Sequence, residues 1–103
     1  MNNKLKLSEA IAVGSKIHPQ GFFTLSRFED GKMKTCALGA AATALGFDYR
    51  LLNLMNYFPE LNNPIKNIKI GFVGCLTNYV YMLNDIMSWP REKIADHLAK
   101  MGY

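Results

Sequence analysis

The chain has 103 residues, half of them hydrophobic and 19% charged, which excludes an intrinsically disordered chain and leaves room for one modest core. Twelve Lys and Arg against eight Asp and Glu give a formal charge of +4, a balance that suits an anionic partner or simply a solvated surface. The uncharged run between Lys69 and Asp85 is broken by Gly71, Gly74, Asn78 and Asn84 and falls short of the ~18 apolar residues of a spanning helix, so no membrane partner is expected. The first residues, MNNKLKLSEAIAVGSK, show no apolar core of signal-peptide type, and the expected location is cytoplasmic.

In chain order, Ser8 is a good N-cap and Glu9 suits the positive end of a helix. Leu7, Ala10, Ile11, Gly14 and Ile17 share one side, so residues 8–17 read as a first amphipathic helix, stopped by His18-Pro19-Gln20-Gly21. Residues 22–35 are rich in Phe, Thr and Leu around Asp30-Gly31, a tight-turn dipeptide, and predict a short β-hairpin. Thr35 then caps the small-residue helix CALGAAATAL, which Gly46 ends and which is expected at the centre of the domain.

Asp48 is the expected cap of YRLLNLMNYF, with Leu51, Leu52, Met55 and Phe58 as its apolar stripe. A loop follows at Pro59–Pro64, then one brief extended segment through Ile65, Ile68 and Ile70, with Gly71 and Gly74 keeping the stretch flexible. Leu76, Tyr79, Val80, Leu83 and Met87 fit a helix that gives way at Ser88-Trp89-Pro90. Pro90 opens the first turn of a last helix that buries Ile94, Ala95, Leu98 and Met101. The expected fold class is mainly α, with α+β as the alternative. It is a bundle of four to five helices with a hairpin near residues 22–35, in a single domain over 1–103.

Few residues carry recognisable chemistry. Cys36 in the first turn of a helix is the sharpest candidate, since free N–H groups and the helix dipole favour a thiolate, and His97 is its candidate base. Free cysteines are more often simply buried, and burial is the favoured reading of Cys36. Asn84-Asp85 with Ser88, Trp89 and Arg91 forms a candidate recognition corner, against which stands a structural role in the turn between helices. Cys36, Cys75, His18 and His97 show no metal-knuckle spacing, so no metal site and no cofactor are expected.

Three segments together resemble a group of small uncharacterised bacterial and phage-associated proteins. They are Leu7–Ile11 with Pro19-Gln20-Gly21-Phe22, then Cys36-Ala37-Leu38-Gly39-Ala40-Ala41, then Leu83-Asn84-Asp85 with Trp89 and Arg91–Asp96. The resembling sequences carry a C-P-x-C-like pair before the Asn-Asp segment, where this chain has only Cys75. The resemblance implies a shared fold without an established activity, and directs attention to Gln20, Cys36, Asn84, Asp85, Trp89 and Arg91 as binding residues.

The leading functional expectation is a small non-catalytic binding or regulatory module, monomer or small homo-oligomer, that contacts a protein partner through exposed aromatic residues. The alternative is a nucleic-acid-associated protein of phage or mobile-element origin, which requires Lys32, Lys34, Lys66 and Lys69 to converge. The third reading, a cysteine-dependent enzyme, requires an accessible Cys36 thiol of depressed pKa beside a histidine.

Overall fold

A computed structural model describes residues 4–103. Helix α1 (Leu7–Gly14) turns Leu7, Ala10, Ile11 and Gly14 inward. It starts one residue before the expected cap: Ser8 is buried inside it, and the Lys6 backbone N–H donates to Glu9 Oε1 at 2.7 Å. It also stops short of residue 17, leaving Ile17 exposed.

Strands β1 (Ser26–Glu29) and β2 (Lys32–Thr35) form the expected hairpin, in register Glu29↔Lys32 and Arg27↔Lys34. Asp30 and Gly31 have φ of 52° and 74°, the pair of positive values that a two-residue turn matched to strand twist demands. Helix α2 (Ala37–Leu45) follows, and its cap is Cys36 rather than Thr35: the sulfur accepts the Gly39 N–H at 3.4 Å. Thr35 is held in the strand, so it cannot adopt the capping position.

The alanine face of α2 is the smooth surface on which α1 sits. A Cβ on Gly14 would lie 1.7 Å from the Ala40 carbonyl oxygen, and one on Gly39 would lie 1.8 Å from that of Leu25. Both glycines are therefore there for close approach, at the cost of intrinsic helix propensity.

Helix α3 (Leu51–Tyr57) begins two residues later than expected, because the Asp48 carbonyl takes the Arg50 N–H in a turn. The apolar stripe shifts with it. Leu54 and Phe58 are fully buried while Leu52 stands exposed. A short helical turn, Pro59–Asn62, buries Leu61. The single extended segment expected next is instead a second hairpin, β3 (Pro64–Asn67) with β4 (Phe72–Cys75), joined through Ile68–Ile70 and Gly71. Gly71 has φ of 70° and serves this turn.

Helix α4 (Leu76–Tyr81) passes directly into a wider π-type turn, Met82–Ile86, closed by the Met87 N–H on the Met82 carbonyl at 3.0 Å. The extra residue per turn breaks the expected stripe, and Met87 is exposed. Pro90 stands just outside α5 (Arg91–Lys100), which buries Ile94, Ala95 and Leu98 but not Met101. The Tyr103 carbonyl accepts the Ser8 N–H at 3.2 Å, which brings the C-terminal turn back to α1.

The described residues thus form five α-helices and two small antiparallel hairpins around one continuous core. Helix dominates, so the fold is mainly α with an α+β component. Among the described residues no helix is long and apolar enough to cross a membrane.

Gly14→Ala separates two opposing effects. Helix propensity alone favours alanine by about 1 kcal/mol. Overpacking against the Ala40 carbonyl costs about 1–3 kcal/mol or more. The expected outcome is net destabilisation, read as a lower urea midpoint, with a propensity-driven gain as the contrary result.

Candidate functional site

After α1 the chain runs beside the end of β2. Thr35 N–H donates to the Pro19 carbonyl at 3.0 Å and Gly21 N–H to the Thr35 carbonyl at 2.9 Å, so residues 19–21 act as a brief parallel third strand. Gly21 permits this approach, since a Cβ there would sit 3.0 Å from Lys34 Cβ. The chain then turns outward, with Phe23 at a φ of 65°, a strained value for an aromatic residue.

Asn84, in the π-type turn, locks this segment. It is fully buried, and its amide makes four hydrogen bonds. Oδ1 accepts from Ala37 N–H at 3.1 Å, satisfying a free donor at the start of α2, and from Gln20 Nε2 at 2.9 Å. Nδ2 donates to the Gly21 carbonyl at 3.0 Å and to Asp85 Oδ1 at 2.7 Å. Gln20 Nε2 also donates to the Trp89 carbonyl at 2.8 Å. Asp85 Oδ1 in turn accepts the N–H of Phe23 at 2.9 Å, which holds the strained residue in place.

Arg91 forms a second lock. Only 5% exposed, it sends NH1 to the Thr35 carbonyl and hydroxyl at 3.2 and 2.8 Å, and NH2 to the Ser15 and His18 carbonyls at 3.0 and 2.6 Å. Those last two carbonyls lie just past the C-terminus of α1, where the helix dipole is negative and a cation is welcome. Burial pulls the guanidinium pKa below its ordinary value. Among the described residues its Nε has no hydrogen-bond partner.

Of the six candidate binding residues, Gln20, Asn84, Asp85 and the Trp89 backbone thus share one hydrogen-bonded network, which meets α2 at Ala37, next to Cys36. Arg91 joins the same loop from the other side through His18 and Thr35. Asn84 and Arg91 are buried and bonded inward, so their role is to hold the fold at this corner.

Cys36 does not meet the requirements of a nucleophile. It is fully buried, and burial pushes its thiol up to about 11, against the pull of the Gly39 and Leu38 N–H groups. His97 is engaged elsewhere: its Nε2 lies 2.7 Å from the Tyr79 hydroxyl. Asn67 Nδ2 donates to that same hydroxyl at 2.8 Å, so the Tyr79 O–H is free to donate to His97 and favours the neutral ring. The Trp89 ring meets His97 edge-on at 5.4 Å, and Lys93 Nζ stands 4.1 Å above Trp89. Among the described residues no three His, Cys, Asp or Glu side chains gather as metal ligands.

Composition did not reveal the surface that the two locks hold in place. Phe22 is 38%, Phe23 70% and Ile86 71% exposed, and Ile86 directly follows Asp85, which accepts the Phe23 N–H. Beside them a recess of about 170 Å³ is lined by Gln20, Phe22, Phe23, Arg27, Glu29 and Lys34. Glu29 receives Lys34 at 3.2 Å and Arg27 at 3.5 Å, and its carboxyl is held below the usual range, chiefly by Lys34. Lys32 and Lys34 lie on the first hairpin and Lys66 and Lys69 in the second, which are separate sheets. Two other aromatic residues, Phe58 and Tyr79, are core residues.

No protein-family model matches the chain, and neither the curated proteins nor the solved structures contain a significant match to it.

The His97 environment sets a pH dependence. Burial, followed by Lys100, lowers its pKa below the ordinary value near 6.5, with Asp96 opposing and Lys93 adding to the shift. The unfolded chain therefore takes up a proton at higher pH than the folded one, and the folded state loses stability as pH falls from about 6.5 toward the lowered value. Urea midpoints measured between about pH 7.5 and 5 should fall on acidification, and His97→Gln should flatten that slope. An unchanged slope in His97→Gln would contradict the assignment.

Proposed function

We propose that this chain is a small non-catalytic cytoplasmic binding module that engages a protein partner through the corner formed by Phe22, Phe23 and Ile86. Its helices serve as a bundled frame for that corner. The observation that carries the reading is Phe23: a large aromatic side chain, mostly exposed, on backbone of positive φ, fixed by a carboxylate that Asn84 itself holds. Strain of this kind costs about 1–3 kcal/mol and persists only where the surroundings over-determine it. Exposed, rigid aromatic residues lose little entropy on docking and commonly anchor interfaces. The buried, weakly acidic thiol of Cys36 supports the non-catalytic half of the reading.

A photo-crosslinking residue placed at position 23 tests the proposal in the producing cells, with position 52 as an exposed control on α3. Discrete adducts are expected from position 23 and not from 52, and Ile86→Asp should reduce them about tenfold. Identical adducts from both positions, or none from 23, would contradict it.

A further inference from the structure

We infer that the recess beside Phe23 receives an acidic side chain of the partner, flanked there by an apolar residue. This rests on the corner being the contact surface and names what it recognises. Arg27 and Lys34 stand directly opposite each other across β1 and β2, and like charges in that relation destabilise a hairpin. Glu29, paired in register with Lys32, is the one carboxylate on this face, against three cations: Arg27, Lys32 and Lys34. It is shared between Arg27 and Lys34, so the face retains positive charge.

A local rule broken at such a place points to a use elsewhere. Two of these cations, Arg27 and Lys34, line with the single carboxylate of Glu29 the recess whose other walls include the exposed Phe22 and Phe23. Gln20 completes the lining, its Nε2 spent on Asn84 and the Trp89 carbonyl, its Oε1 left to accept a peptide N–H. At about 170 Å³ the recess admits one side chain, well below the roughly 300–1,000 Å³ of pockets for larger ligands. A carboxylate reaching Arg27 and Lys34, with an apolar neighbour against the rings, matches the surface in charge and character. A single carboxylate needs only this pair of cations, whereas a nucleic-acid backbone needs a longer cationic track.

Selection of phage-displayed random peptides on the intact chain tests this. Enriched clones should carry Asp or Glu next to Leu, Met or an aromatic residue. They should bind Arg27→Gln/Lys34→Gln at least tenfold more weakly, and lose affinity as salt rises. They should also lose binding to Phe23→Gly, which retains the positive φ without the ring; circular dichroism of both variants confirms folding.

Clones without acids that bind the double variant undiminished but fail on Phe23→Gly would overturn the acidic partner while leaving the corner intact. Clones indifferent to Phe23→Gly would overturn both. A thymidine oligonucleotide that binds more tightly than the clones and weakens equally in the double variant would replace the peptide with nucleic acid. Absence of any enrichment over a blank surface would also overturn the inference.

Discussion

The side-chain amide of Asn84 is the point on which the geometry of this protein depends. Its four hydrogen bonds tie the π-type turn to the start of α2, to Gln20, to the Gly21 carbonyl and to Asp85. Each would be costly to leave open, because a buried donor or acceptor without a partner loses about 1–3 kcal/mol. Saturation on both sides of the amide leaves one orientation for the residue, and hence one path for the loop. Arg91 complements it by tying the end of α1 to Thr35, so the loop between α1 and β1 is gripped from two helices.

This arrangement divides labour between inside and outside. The inner groups, Arg91 Nε apart, are satisfied by each other and by the backbone, while Cys36 caps a helix with its sulfur. What they present outward is a fixed aromatic corner and a cationic recess. Rigid presentation matters because association loses side-chain and loop entropy, and a loop already ordered loses less. The strain at Phe23 is then understandable: a relaxed backbone there would not place its N–H on Asp85.

The sequence made some of this legible and hid the rest for physical reasons. The Asp-Gly turn and the alanine-rich helix follow from local chemistry, and both are found where the residues indicate. The second hairpin was not legible, because Ile65, Ile68 and Ile70 lack alternation and its connection is a helical turn, which mixes two periods. Asn84 stood four residues after Val80 and next to Leu83, on the buried stripe, and that spacing was the available signal of its burial. Its partners were not legible, since Gln20 and Gly21 lie more than sixty residues away and only the fold joins them. Helix starts shifted wherever a cap looked good in isolation, as at Ser8, Thr35 and Asp48, because backbone pairing or packing took the residue first.

The claim that Asn84 fixes the outward corner is tested most directly by amide hydrogen exchange at Phe23 and Ala37, compared between the native chain and Asn84→Ala. Under conditions where both remain folded, the account expects both amides to be protected like core amides in the native chain. In the variant, Phe23 should exchange at least tenfold faster, Ala37 should follow it, and amides of β3 and β4 should be unchanged. A Phe23 amide that exchanges at the rate of a free loop in the native chain, or that is equally protected in both proteins, would contradict the account.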